Sequence, residues 1–367
     1  MENKKFIVSG GNKMFNIQDP RYQNSRLLNE ALLEACEYAV YGAGTYAFVS
    51  ADGVHLLMKN QTFEKFITRG TYHLIIGMDE ITNIKTLAAL KEYGRKFPNL
   101  RSDAFIHHTA GSTFHPKYSW FKYETGGMLV LGSGNLTARG LRKNTEAFVV
   151  QKLNEEEILS IETKWKDWVD SSRECIKSLQ DPEVILKASE NAGLAVKNLK
   201  TAGWEDEKGV WTFGPDSEVF IAEIRDHWKS TRYKMDVDLP TGNFFFGLGF
   251  LPEKEIVLKK VAARGNLEEI ESKTMSFTSD KKYRMEFTIQ ENEEKKIKGC
   301  PFTVFVRLAP RTFLYTIILP DERGYKQLRR QLKRMPRDQE GLIRYHTNGG
   351  QLKERVNALA ILDYLNR

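Results

Sequence analysis

Between about Asn24 and Val150 the apolar positions switch repeatedly between helical and strand spacing. "NSRLLNEALLEACEYA" carries apolar residues at i, i+3 and i+4 and predicts a helix, with Asn24 and Ser25 as its expected caps. "GTYAFVS" and "YHLIIGMD" are short apolar runs bounded by Gly or Asp, the pattern of buried strands. "GVHLLMKNQTFEKFITRG" between them reads as one helix closed by Gly70, and "NIKTLAALKEYGRKF" as another stopped by Pro98. "SDAFIHHT", "PKYSWFKY", "GGMLVLGS" and "EAFVVQK" supply further strands. Helices alternating with strands predict an α/β sandwich around a mostly parallel sheet. "NEEEILSIETKWKDWVDSSR" and "DPEVILKASENAGLAVKNL" predict two helices that close this first domain near residue 200.

Beyond that point the spacing shortens. "SEVFIAEIRD", "YKMDVDLP", "NFFFGLGFLP", "EIVLKKVAA", "TMSFTSD", "YRMEFTIQE", "FTVFVRLAP" and "TFLYTIILP" are β-type segments separated by Pro, Gly and charged turns. They predict a barrel or sandwich, closed by the helices "GYKQLRRQLKRM" and "GQLKERVNALAILDYLN". The expected division is 1–200 and 201–367, with the boundary between about 196 and 208.

Composition narrows the class. The 367 residues suit two domains, and 41% hydrophobic with 28% charged is ordinary for a globular chain. No apolar run approaches the roughly eighteen residues of a membrane span, and the N-terminus "MENKKFIVSGGNKMFN" has no signal-peptide core. The expected location is the cytosol, and Cys36, Cys175 and Cys300 are too few and too far apart for a disulfide framework. The net charge of +7 leans toward a polyanion. From Arg307 to Arg367 there are thirteen Lys or Arg against six Asp or Glu, densest in "YKQLRRQLKRMPR". Arg329, Arg330, Lys333 and Arg334 are the candidate phosphate contacts there, set against the commoner case of a solvated helix face.

The chemistry gathers in "FHPKYSWFKYETGGMLVLGSGNLTARGLRKNTEAF", Phe114 to Phe148. On a strand, His115 and Lys117 share a face. Asn135 follows His115 by 135 − 115 = 20 residues and Glu146 by 146 − 115 = 31, with strand, Gly-Ser-Gly-Asn turn, short helix and strand between them. A histidine can attack phosphorus or protonate a leaving oxygen. A lysine and an asparagine can hold the non-bridging oxygens as charge builds on them, and a carboxylate can fix the imidazole tautomer. The set calls for no metal and no cofactor. His107 and His108, with no Cys or acidic partner at ligand spacing, read as ordinary strand residues, and His55 and His73 as packing residues. "HWK" at His227–Lys229 imitates His115-x-Lys117 but lacks the later turn and glutamate.

His115-x-Lys117, Gly132-Ser133-x-Asn135 and Asn144-x-Glu146 together resemble the HKD signature of the phospholipase D superfamily. The wording is most similar to its restriction-nuclease branch, the BfiI-like and NgoFVII-like endonucleases. The resemblance covers about residues 25–150, and departs from the wider superfamily at Lys122, where an Asp is common. It implies a metal-independent endonuclease working through a covalent phosphohistidine, with His115, Lys117, Asn135 and Glu146 catalytic and Ser133 binding phosphate. It implies a B3-like pseudobarrel as the second domain. It also implies DNA as substrate, a role in restriction or phage defence, and further subunits if the chain works inside a defence complex. One motif per chain implies a homodimer in which two copies share a site. Two other readings compete: a phospholipase D-type lipid phosphodiesterase, which would want a membrane-binding element, and a non-catalytic nucleic-acid-binding or sensing subunit.

Overall fold

A computed structural model describes residues 13–107, 109, 112–197, 207–225, 232–249, 255–288, 299–338 and 340–366. His108 and the "HWK" segment lie outside the described residues. The chain clusters into two compact units: Met1–Asp19 with Ser25–Glu205, and Pro20–Asn24 with Asp206–Arg367.

The first unit is built on an eight-stranded sheet. Its strands are β1 (Lys13–Gln18), β2 (Tyr41–Tyr46), β3 (Thr71–Gly77), β4 (Leu100–Phe105), β5 (Lys117–Lys122), β6 (Gly127–Gly132), β7 (Glu146–Leu153) and β8 (Ile176–Ser178). Their order is β1-β7-β6-β5-β2-β3-β4-β8. Helices α1 (Leu28–Cys36), α2 (Ala51–Met58), α3 (Gln61–Arg69), α4 (Ile84–Lys96), α5 (Glu155–Ser171) and α6 (Pro182–Lys197) complete it. Neighbouring residues on β3 show that both sheet faces are covered. Tyr72 meets Phe63 and Phe66 of α3, whereas His73, pointing the other way, meets Trp165 of α5. Two-sided burial explains why "YHLIIG" is continuously apolar instead of alternating.

The α/β sandwich is as expected, but the sheet is not mostly parallel. Only β2–β3 and β3–β4 run parallel; β1–β7, β7–β6, β6–β5, β5–β2 and β4–β8 are antiparallel. The reason lies in the connections. Strands β5 and β6 are joined by a turn too short for a crossover helix, so they pair as a hairpin. The single helix expected over 53–70 is two, because the Asn60 side chain accepts from Thr62 N–H and starts α3 afresh. Asn24 and Ser25 do not cap α1. Its N-cap is Leu27, while Ser25 Oγ accepts from Asp19 N–H.

The second unit has two sheets. One has the order β10-β14-β13, and the other β12-β11-β16-β15-β9-β17. These strands are β9 (Glu218–Glu223), β10 (Arg232–Val237), β11 (Glu255–Val261), β12 (Leu267–Thr274), β13 (Ser276–Phe277), β14 (Tyr283–Thr288), β15 (Phe302–Ala309), β16 (Thr312–Ile318) and β17 (Arg344–Asn348). Met235, Met285 and Phe287 from the small sheet share one core with Phe220, Leu258, Phe305 and Phe313 from the large one. "NFFFG" is not a strand but a π-helix, Thr241–Phe245, that adds Phe245 and Phe246 to this core. Besides the short α7 (Glu207–Val210), the α-helices among its described residues are α8 (Tyr325–Leu332) and α9 (Gly349–Arg355). The long last helix expected from "GQLKERVNALAILDYLN" breaks at Val356, which is extended, and resumes only as a 3-10 turn, Ala360–Tyr364.

Candidate active site

The site forms because three antiparallel strands end at one sheet edge. Strand β5 starts at Lys117, β6 ends at Gly132 and β7 starts at Glu146, with Tyr118 opposite Leu131 and Gly132 opposite Phe148. The alternation of strand side chains then puts Lys117 and Glu146 on the same face. His115 lies just before β5, not on it, and is exposed, whereas Lys117 is buried.

The two nevertheless meet. Lys117 Nζ lies 2.9 Å from His115 Nδ1 and 3.2 Å from Nε2, and donates to His115 O at 3.1 Å. Burial lowers the Lys117 pKa from its usual value, and the nearby Glu146 carboxylate opposes that shift. Glu146 bonds elsewhere than to the imidazole: it accepts from Ser133 Oγ and, through Oε1, from Asn144 Nδ2 at 3.1 Å. Ser133 Oγ also accepts from Ala147 N–H at 3.1 Å. The Gly132–Asn135 turn follows a close backbone approach. A Cβ on Gly132 would lie 2.5 Å from Ala147 O, and one on Gly134 would lie 2.4 Å from a Leu28 methyl.

Asn135 is held by a residue that the sequence pattern did not single out. Phe48 N–H donates to Asn135 Oδ1 at 3.1 Å, and the Phe48 ring stands edge-on to His115, centroids 6.0 Å apart. The whole stretch Tyr46–Ser50 acts as a bracket between the two halves of the motif. Tyr46 is paired with Lys117, Ala47 N–H donates to Pro116 O, Val49 bridges Leu136 and Ser50 N–H donates to Leu136 O.

A second missed residue is Gln18. It is fully buried on β1, opposite Glu146. Its amide donates to Gly140 O at 3.1 Å and Asn144 O at 2.9 Å, and accepts from Leu28 N–H at 2.8 Å. Gln18 thereby fixes the π-helix Arg139–Lys143 and the residue that holds Glu146. Along the chain it shows only as one more polar residue in the mixed stretch "KMFNIQDP".

The other singled-out groups lie elsewhere. Lys122 is at the far end of β5, on the order of 17 Å from Lys117 by strand rise, and pairs with Glu162 at 2.6 Å. His107 is beyond the end of β4 and accepts from Thr109 N–H. His55 bonds Tyr93, and His73 bonds Asp103 at 2.9 Å in the core. Arg329 and Arg330 are exposed on α8, with Lys333 and Arg334 just after it.

No family model matches the chain, and no curated protein does. Solved structures are similar over part of it. A phospholipase D family member, Nuc from Salmonella typhimurium, is similar over 46% of this chain and 97% of its own, at 19% identity and a TM-score of 0.34. NucT from Helicobacter pylori is similar over 46% and 99%, at 14% identity and 0.32. Phosphatidylserine synthase of Haemophilus influenzae Rd KW20 is similar over 53% and 48%, at 13% identity and 0.35. What the site can do rests on its own side chains. No helix among the described residues is long and apolar enough to cross a membrane.

Proposed function

We propose that the first unit is a phosphodiesterase of the phospholipase D type that cleaves nucleic acid through a phosphohistidine. The observation carrying this reading is the exposed His115 imidazole with the Lys117 ammonium at both ring nitrogens, on one sheet edge with Ser133, Asn135 and Glu146. In the first step an imidazole nitrogen bonds to phosphorus, and the P–O bond to the leaving group breaks. A second histidine gives its proton to that leaving oxygen. In the second step the same histidine takes a proton from water, whose oxygen displaces the imidazole from phosphorus. Lys117, Asn135 and Ser133 hold the non-bridging oxygens throughout.

One chain carries one such motif, so the second histidine is proposed to be the His115 of a second copy. An uncovered sheet face supports this. Phe15 and Leu131 both flank Val149 in register and are 66% and 48% exposed, and Ile17 beside them is 59% exposed. This apolar strip belongs to the same strands β1, β6 and β7 that end at the site, on the sheet face opposite Lys117 and Glu146, and suits a self-complementary two-fold contact.

Nucleic acid is favoured over lipid by the second unit. Lys326, Arg329, Arg330, Lys333 and Arg334 are all exposed and make no ion pair among the described residues, while Leu328 and Leu332 anchor α8 beneath them. Such a row suits phosphates read without regard to sequence. DNA, in restriction or phage defence, is the proposed setting. The deciding experiment incubates the protein with plasmid DNA with and without EDTA. Cleavage that persists in chelator and disappears in His115→Ala supports the proposal. Cleavage lost in chelator and restored by Mg²⁺ refutes it, since the chemistry would then be metal-assisted.

A further inference from the structure

The second unit mounts an aromatic ring in solvent on a rigid base. In "GNFFFG" Phe245 and Phe246 are buried, but Phe244 is 77% exposed. Its carrier, the π-helix Thr241–Phe245, is pinned from several sides. Asp238 Oδ1 accepts from Thr241 N–H at 2.8 Å, Tyr283 Oη donates to Asn243 Oδ1 at 3.1 Å, and Gln23 Nε2 donates to Phe244 O at 3.1 Å. Gly242 sits so close to Tyr283 that a Cβ would come within 2.1 Å of the ring. A π-turn costs hydrogen-bond geometry and tends to persist where it serves a site.

Beside the ring is a cavity of about 410 Å³, lined by Glu218, Asp238, Thr241, Phe244, Arg344 and His346 among others. That lies within the range of small-ligand pockets, roughly 300–1,000 Å³. Its polar groups sort by commitment. Arg344 is spent on the carbonyls of Asp236, Glu223 and Ile343, and Arg307 pairs with Glu218. Asp238 Oδ2 and His346 Nδ1 make no hydrogen bond among the described residues, while His346 Nε2 lies 3.2 Å from Thr241 Oγ1. Desolvation, with Phe220 and Phe245 packed on the imidazole, lowers the His346 pKa, and the Asp238 and Glu218 carboxylates oppose that shift.

Carboxylates at the wall disfavour a phosphate there. A flat aromatic ligand presenting N–H groups at its edge matches instead: one face on Phe244, an amino group toward Asp238, a ring nitrogen or N–H toward His346. We propose that this cavity receives a single unpaired nucleobase bearing an exocyclic amine, stacked on Phe244. The inference rests on the nucleic-acid reading above and adds a base-reading contact to it. Stacking tolerates any base, so the amine preference would come from Asp238.

The test uses the full chain with His115→Ala, so that no cleavage intervenes, and a single-stranded oligonucleotide with one 2-aminopurine. Quenching of its fluorescence on binding, and weakening on the order of tenfold or more in Phe244→Ala with recovery in Phe244→Trp, are expected. Asp238→Asn keeps the cap on Thr241 and should erase the preference for adenine or cytosine over thymine. An abasic residue at the probe position should bind like Phe244→Ala. Binding of free nucleoside monophosphates as tightly as the oligonucleotide would identify a nucleotide pocket, and would overturn the polymer-bound base. Unchanged binding by Phe244→Ala, or no oligonucleotide binding at all, overturns the inference. Plasmid cleavage by the wild-type chain is scored separately. Cleavage with Phe244→Ala binding unchanged sinks only the base pocket, whereas quenching without cleavage sinks only the phosphodiesterase.

Discussion

Phe48 and Asn135 lie 87 residues apart and are joined by one bond, the Phe48 N–H donating to Asn135 Oδ1 at 3.1 Å. That bond engages the amide's acceptor, while its NH₂ group makes no hydrogen bond among the described residues. Asn135→Asp keeps the acceptor for Phe48 and removes the donor. The melting temperature should stay near wild type while cleavage of a chromogenic phosphodiester falls at least about a hundredfold, the usual scale for losing one charge-stabilising donor. Near-normal turnover would remove Asn135 from the reaction.

Lys117 is charged where burial disfavours charge, so its folded pKa lies below the unfolded value. Between those two values the unfolded chain binds more protons, and stability therefore rises with pH through that window. Below the folded value the burial penalty is present in full. Lys117→Met removes it, and should melt at the same temperature or higher while losing at least about a hundredfold in activity. The stability gap from wild type should narrow as the pH approaches 10.5. Chemical denaturation at neutral and alkaline pH measures both.

Gln18→Ala leaves Gly140 O, Asn144 O and Leu28 N–H without their partner. An orphaned buried group costs about 1–3 kcal/mol, so a clear fall in melting temperature is expected. Because Asn144 in turn holds Glu146, whose carboxylate raises the Lys117 pKa, Gln18→Ala and Glu146→Gln should both move the alkaline limb of the pH–rate profile to lower pH. A fall in stability with an unmoved profile would make Gln18 a purely structural residue.

The dimer reading predicts that mixing wild-type with His115→Ala chains lowers activity faster than the wild-type fraction falls, because heterodimers lack one of the two histidines. Phe15→Lys should halve the mass seen by light scattering and abolish cleavage together. A linear fall, or a fully active monomer, rules out the shared site.

Charge reversal at Arg329, Arg330, Lys333 and Arg334 should weaken DNA binding and flatten its salt dependence, since each lost phosphate contact removes about one unit of slope. An unchanged slope would return α8 to the role of a solvated face.

The sequence by itself determined the local things. Short apolar runs bounded by turn residues marked most of the strands, Gly70 and Pro98 marked helix ends, and the spacing from His115 to Glu146 marked the candidate site. Each of these depends on neighbours within a few tens of residues. Tertiary structure decided what depends on distant partners. Strand direction was one such feature: apolar runs such as those of β3 and β5 look alike whether their neighbours run parallel or antiparallel. Phe244 was another, since in "NFFFG" only the packing of Gly242 against Tyr283 and the burial of Phe245 and Phe246 leave one ring of three outside. Phe48 and Gln18 were the clearest. Phe48 acts through a backbone N–H, which every residue but proline carries, and Gln18 through carbonyls more than 120 positions away. Neither leaves a residue pattern along the chain, because hydrogen bonds of that kind exist only once the sheet edge has been assembled.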